Sequence, residues 1–371
     1  MRVTRAEVLA QRVVAQGLDR APGGLDRVLA LGLQDTGGRS ARLAAVARSA
    51  DGADVLRDAV TDEAAERDVT LAWTTRGAPH AHRTADLPAL IGAHWPLSDA
   101  DALSRVGWQR QRVLAVGMGA LTALSEVAHA MRGVVTGVTP KGEASAAVTA
   151  AVPDPLSAWC EPCGVRHVFE SLFRLAALPA GLRLEPGRTP AHLAPIAGRP
   201  SVPERPEGTA ELVRAYLRVL GPAGRGDVAA FLGTTQTELR RAWPDDLVEV
   251  DVDGRTTWIT ADRVDALEEA PPPRLVRLLP PSDPWLQARD RELLLDRPLH
   301  RRLWTALHQP GAVLVDGELL GTWRATGSGR SLRVTVNTWA GLTAANRDAV
   351  AEEAGHVAAV RGAEKSEVVF E

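Results

Sequence analysis

The chain has 371 residues, of which 45% are hydrophobic and 24% charged, and carries a net charge of −3. That length predicts more than one domain, and the composition excludes a disordered chain, a collagen and a coiled coil. The small negative balance gives no global basic field toward nucleic acid, and two cysteines, Cys160 and Cys163, are too few for a disulfide scaffold. Only two of the 43 basic residues, Lys141 and Lys365, are lysine. Such arginine-rich, lysine-poor usage follows GC-rich coding DNA and is weak evidence of function. The opening residues alternate apolar and charged side chains, unlike a signal peptide. No uncharged apolar stretch is long enough to span a bilayer. A soluble cytoplasmic protein with no membrane partner is expected.

Thr4 and Glu7 predict a capping box ahead of a helix whose apolar face is Val8, Leu9, Val13 and Val14. The apolar run from Leu25 to Ser49 predicts two helices with a tight corner at Gly37-Gly38. Residues 69–84 have strand character, with Pro79 at a bend or an edge. A short helix follows from Leu87-Pro88. Residues 104–133 read as helical, and Thr139-Pro140 precedes another helix with proline near its first turn. After the cysteines, residues 169–186 read as a helix, a turn and a short strand. The stretch from Pro186 to Pro206 holds six prolines and reads as a surface linker.

The next block has the clearest local grammar. Helices are expected over residues 211–221 and 221–233, and a third, capped by threonine, from Thr235 to Trp243. A β-hairpin follows, turning at Asp253-Gly254. Three helices and a hairpin in this order are the layout of a winged helix, with the third helix for recognition and the hairpin as wing. The acidic run Asp245, Asp246, Glu249, Asp251 and Asp253 beside Arg240, Arg241 and Arg255 predicts a module that packs against its neighbours and holds duplex DNA poorly. Beyond a proline linker, a strand (RLVRLLP), an apolar loop at Pro280–Trp285 and a helix near Pro298–Leu307 are expected. Three meander strands turning at Asp316-Gly317 and Gly327–Gly329, a helix over Thr343–Arg361 and a terminal strand complete an α+β unit. Trp323, and the ten tryptophans as a set, read as core and interface residues.

Several segments together resemble the winged-helix DNA glycosylases of the AlkZ/YcaQ type. They are LGLQDTGGRSARLA, TRGAPHAHRTADL, LVRAYLRVLGPAGRGDVAAFLG, VRLLPPSDPWL and GAVLVDGELLGTWR. None is very specific alone, but their order spans nearly the whole chain. The resemblance implies an α+β protein of tandem winged-helix modules followed by a C-terminal β-rich domain. On this chain they would occupy residues 1–97, 98–205, 206–270 and 274–371. It also implies a monomer that wraps double-stranded DNA in a concave basic surface and excises alkylated purines or unhooks crosslinked bases. The family's catalytic Gln-x-Gln or Gln-x-Asp falls on Gln34-Asp35-Thr36. The first glutamine is kept; Thr36 is neither glutamine nor aspartate.

Hydrolysis of an N-glycosidic bond passes through an oxocarbenium-like sugar and requires a positioned water beside the developing charge. Alkylation at N7 makes the base a good leaving group, so a strong general acid is not needed. Gln34 would position the water. Thr36 can hydrogen-bond a water but cannot take its proton at neutral pH. Asp35 can, but in a helix it would point away from Gln34. In purely structural terms, Asp35 or Thr36 caps the helix after Gly37-Gly38. Arg39, Arg42, Arg76 and His80 are candidate phosphate contacts, as are Arg324 and Arg330 on the last meander, though lone arginines are more often solvated surface. Cys160, Cys163 and His167 begin a metal-ligand spacing that would need a fourth ligand such as His80, His82 or His94. A single CxxC is not strong evidence, so no metal and no cofactor are assigned. Two functions of different class follow. One is a metal-free monofunctional DNA glycosylase for N7-type lesions. The other is a non-catalytic winged-helix DNA-binding protein, a regulator or damage-binding factor. A structural protein built on reused winged helices is a weaker third.

Overall fold

Thr4 caps the first helix as the sequence requires. Its hydroxyl accepts from the Glu7 amide and the Glu7 carboxylate accepts from the Thr4 amide. The computed structural model describes residues 1–49, 68–327 and 329–371. Residues 50–67 of the first expected module, and Ser328 of the Gly327–Gly329 turn, lie outside the described residues. The architecture is α+β. The described chain packs as two units, one of residues 1–49, 214–227 and 246–371, the other of 68–213 and 228–245.

In the first unit, helix Arg5–Ala15 buries Val8, Leu9 and Val13. The hairpin of Leu247–Val252 and Arg255–Thr260 turns through Asp253 and Gly254, both at positive φ as the tightest hairpin turns demand. A short strand that the sequence reading missed, Arg2–Val3, joins it in parallel. Val3, Val8, Val250, Val252 and Ile259 close a small core beneath. Three acidic residues around this hairpin have partners near the surface. Asp246 bonds Arg214 at 2.8 Å, Asp251 lies 3.8 Å from Arg2, and Asp253 accepts from the Arg5 amide at 3.0 Å.

The C-terminal sheet takes its five strands in chain order: Val276–Leu279, Gly311–Val315, Glu318–Thr326, Ser331–Thr338 and Lys365–Phe370. All pairs are antiparallel except the last. A parallel return needs a crossover, which helix Ala344–Arg361 supplies between its Thr343 cap and Gly362. Val350, Ala354 and Val357 of that helix share a core with Val313, Val334 and Val336 of the sheet and with Leu43 and Val46. The helix expected near Pro298–Leu307 is reduced to the short turns Arg297–Leu299 and His300–Leu303.

In the second unit, Val69–Trp73 and Pro79–Arg83 form a hairpin, so the strand character expected here is two strands, with Pro79 the first residue of the second. Leu182–Glu185, His192–Pro195 and Thr139–Pro140 extend the sheet beyond Val69–Trp73, all antiparallel. The proline-rich stretch after Pro186 is therefore not wholly linker, because His192–Pro195 is paired on both edges. Helices Ala120–Val134 and Glu170–Ala177 fill the core with Leu124, Val127, Met131 and Phe173 around Trp73 and Trp95. Among the described residues, no single helix is long and apolar enough to cross a membrane.

Two fully buried ion pairs cross-brace the first unit. Arg48, at the end of helix Ser40–Val46, meets both oxygens of Asp283 at 2.8 Å, and both side chains are 0% exposed. Its remaining donors reach Gln16 Oε1 and the Ala44 carbonyl. Arg12 likewise holds Asp290 and donates to the Pro222 carbonyl. Removing one partner strands a charge in a medium that cannot solvate it, at a cost of about 3–5 kcal/mol. Arg48→Met should lower unfolding free energy by about that amount in urea titration. Pairing it with Asp283→Leu should recover much of the loss. A single-variant loss below about 1 kcal/mol would show the brace to be dispensable.

Candidate active site

Gln34 closes the short strand Leu33–Gln34, and Thr36 opens a single 3-10 turn, Thr36–Gly38. The two helices expected here thus stop short of the motif. Gly32, at φ 90°, ends the first helical run in a left-handed conformation. Gly37, at φ 74°, makes the second corner, where a β-carbon would be strained by the backbone alone. The motif thus passes from strand to turn and is not α-helical, and the Gln34 and Thr36 side chains meet on one side. Gln34 Nε2 donates to Thr36 Oγ1 at 3.1 Å. The Thr36 hydroxyl is 3.5 Å from Ser282 Oγ. Gln34 Oε1 is buried with no hydrogen-bond partner, an acceptor that a donor in the site would satisfy.

Asp35 turns the other way. Its Oδ1 accepts from the Ala41 amide at 3.2 Å, across the start of helix Ser40–Val46. From outside the N-cap position, which is Arg39, it satisfies this first-turn amide, the capping role that the structural reading of the sequence anticipated. Burial pushes its carboxyl above the ordinary range; the Ala41 and Ser40 amides and the nearby Arg42 charge oppose that rise. A carboxylate raised in this way is a stronger base than one in water.

Thr36, Arg39 and Ser40 line a cleft of about 460 Å³, with Trp323, Arg324 and Arg361 among its other walls. Gln34 and Asp35 are not among its lining residues. Trp323 is core, as expected, 3% exposed with its indole donating to the Leu279 carbonyl. Gly311 permits this, because a β-carbon there would collide with the indole ring. Arg324 donates to the His308 carbonyl at 2.6 Å, and Arg361 to the Ala325 carbonyl at 3.3 Å. Burial, and after it the charge of Arg39, push the Arg361 guanidinium downward. Like charges crowd this cleft, and an anion would relieve them.

The other candidate contacts are less free. Arg42 is half-buried beside Asp35. Arg330 is exposed, 3.6 Å from Glu364. Arg76 donates to the Phe231 carbonyl and lies 5.1 Å over its ring, so it braces the second unit. His80 is 2% exposed, too enclosed to meet a phosphate. Its Nδ1 contacts the Ala78 carbonyl at 2.9 Å and Thr74 Oγ1 at 3.0 Å, and Thr74 Oγ1 reaches His82 Nε2 at 3.1 Å. Burial drives His80 well below its ordinary pKa and His94 down to about 3. Cys160, Cys163 and His167 do come together, their ligand atoms within 4.8 Å of one another. His80, His82 and His94 are not part of that group. Not all tryptophans are core, since Trp108 and Trp159 are 76% and 55% exposed.

The sequence reading missed Ser282, Arg48, Asp283 and Arg361. The segment PPSDPW carried one legible sign, an aspartate ahead of proline, which is an N-cap followed by a favoured first helical residue. Asp283 indeed caps Pro284–Gln287 through the Trp285 amide.

The family model for AlkZ-like DNA glycosylases matches residues 25–360. The fold is similar to that of the Streptomyces sahachiroi DNA glycosylase AlkZ, with a TM-score of 0.78, 22% sequence identity and 100% of each chain covered. Among curated proteins none matches the sequence.

The buried histidines generate a pH dependence. A histidine whose folded pKa lies below its unfolded value binds fewer protons when folded, so acid favours unfolding. For His94 that loss begins as pH falls below 6.5 and continues toward about 3. Thermal unfolding followed from about pH 7 to about pH 4 should show a falling midpoint, and His94→Gln should flatten the slope. An acid slope unaltered in the variant would exclude His94 as its source.

Proposed function

Because the chain belongs to the AlkZ-like family of DNA glycosylases, we propose that it hydrolyses the N-glycosidic bond of alkylated, N7-type purines or crosslinked bases in double-stranded DNA. It acts as a cytoplasmic monomer without a cofactor. Gln34, Asp35 and Thr36 are its reacting group, and Arg39, Arg42, Arg324 and Arg330 its backbone contacts. Arg361 joins them at the cleft. Arg76 and His80 are withdrawn from the contact set, because their side chains are engaged inside the second unit.

One observation carries this reading. The Gln34 amide and the Thr36 hydroxyl are bonded to each other, and Thr36 stands at a cleft that also bears Arg39, Arg324 and Arg361. An N7-alkylated purine leaves as a neutral base while positive charge grows on the sugar. The unpaired Gln34 Oε1 accepts from the attacking water, and the released proton passes by way of solvent to Asp35, which lies on the other side of the motif and has a raised pKa. The guanidinium groups hold the flanking phosphates. The modular division at 1–97, 98–205, 206–270 and 274–371 is part of the proposal. It is supported by the run of helices Thr209–Leu220, Arg225–Leu232 and Gln236–Leu239 before the Leu247–Thr260 hairpin.

A second reading rests on a specific fact: Asp35 already serves as a helix cap. A protein that binds damaged DNA without excision would keep that cap and need no base.

Incubation with duplex DNA carrying N7-methylguanine, followed by alkaline cleavage of abasic sites, separates the two. Excision above background is expected. Gln34→Ala should lower its rate by about 100-fold or more with little change in DNA affinity. Bound but unexcised DNA would establish the second reading. Activity should also fall as acid protonates Asp35, at a pH above the ordinary carboxylate range because its pKa is raised. Separately, Arg324→Ala should weaken binding across all sequences and reduce its salt dependence, measured by fluorescence anisotropy. An unchanged salt slope would remove Arg324 from the interface.

A further inference from the structure

A second group of reactive side chains lies in the other unit, on the two-stranded hairpin of Ser157–Cys160 and Val165–Val168. Cys160 ends the outgoing strand and Cys163 sits in the turn. There the amides of Cys163 and Gly164 both donate to the Cys160 carbonyl, at 3.2 and 2.9 Å. Gly164, at φ 64°, makes the left-handed corner that sends the chain back. In the register, His167 stands opposite Ala158. Ala158 and Cys160 are two residues apart, so His167 shares a face with Cys160 and is its diagonal neighbour. Two sulfurs and an imidazole nitrogen thereby converge within 4.8 Å of one another.

We propose that this hairpin binds one zinc ion through Cys160, Cys163 and His167, with its fourth position open to water. Ligand atoms around a tetrahedral zinc stand roughly 3.3–3.9 Å apart, given bonds of about 2.0–2.3 Å, so only a small adjustment is needed. Two thiolates and an imidazole are a soft donor set that selects zinc over magnesium or calcium. The knuckle is accessible, with Cys163 exposed and the other two half-buried. The base of the hairpin is packed, with Ser157 and Val168 buried, whereas its outer part carries the exposed side chains Trp159 and Val165 at 55% and 48%. A metal bridging the turn to both strands fixes the tip and the direction in which Trp159 projects. The site involves no residue of the proposed glycosylase chemistry and stands or falls apart from it.

The full chain, free of any histidine tag and kept reduced, is loaded with zinc, gel-filtered and measured by elemental mass spectrometry. About one zinc per chain is expected. Cobalt in its place should give a thiolate charge-transfer band and the visible bands of tetrahedral coordination. Cys163→Ser should lose both metal and spectrum. Cys163 is exposed, so the variant should keep its circular dichroism; His167→Ala, which spares both thiols, is the second test and should also lose zinc. Reduced wild-type protein that retains no zinc would overturn the proposal. So would a variant that retains as much as wild type, or a Cys160–Cys163 disulfide formed in air by a chain that takes up no zinc when reduced.

Discussion

The first unit depends on one buried charge pair. Arg48 and Asp283 are 235 residues apart and wholly enclosed. Neither can be solvated in place, so each fixes the position of the other. Arg48 closes helix Ser40–Val46, whose start is capped by Asp35. Asp283 follows directly on Ser282, whose hydroxyl faces Thr36. The pair therefore sets the spacing of the motif turn from the loop opposite it. Glu353 extends the network at its edge, meeting Arg20 at 2.8 Å and Arg277 at 3.4 Å. Buried charges of this kind are a poor source of net stability. What they supply is a single register between helix, loop and sheet, which a site built on a two-residue strand and one turn could not supply itself.

The fold was legible where local chemistry decides it. The Thr4–Glu7 box, the Asp253-Gly254 turn, the meander strands and the Thr343 cap each depend on residues within a few positions of one another. The reading failed where distant partners decide. Arg2–Val3 is a strand only because Leu247–Val252 lies beside it. His192–Pro195 is one only because two other strands flank it. At the site, the sequence pointed to Gln34, Asp35 and Thr36 but supposed a helix beneath them. Gly32 supplied the missing signal, since a glycine in a left-handed conformation ends a helix wherever the apolar pattern would continue it. Arg48 looked like any other arginine in an arginine-rich chain. Its role comes from a partner no spacing rule could name.

The charge balance gains a different meaning in three dimensions. Several acidic residues of this unit are turned to its own arginines: Asp246 to Arg214, Asp251 to Arg2, Asp227 to Arg255 and Asp262 to Arg218. Arg39, Arg324 and Arg361 gather instead at one cleft. A net of −3 thus coexists with a local concentration of guanidinium groups. Fields from such a cluster act within about a Debye length and are set by neighbours, not by the sum over the chain.

The sequence distance between Arg48 and Asp283 has a consequence for synthesis. Helix Ser40–Val46 leaves the ribosome early, with a guanidinium that must be buried and no carboxylate to meet it. The strand Arg2–Val3 waits in the same way for Asp251 and Val252. Both amino-terminal elements therefore take their partners from segments made much later. The candidate motif, encoded near the beginning, thus depends for its setting on a residue encoded far down the chain. A chain truncated before Asp283 would carry every residue of that motif without the buried partner of Arg48 or the serine that faces Thr36.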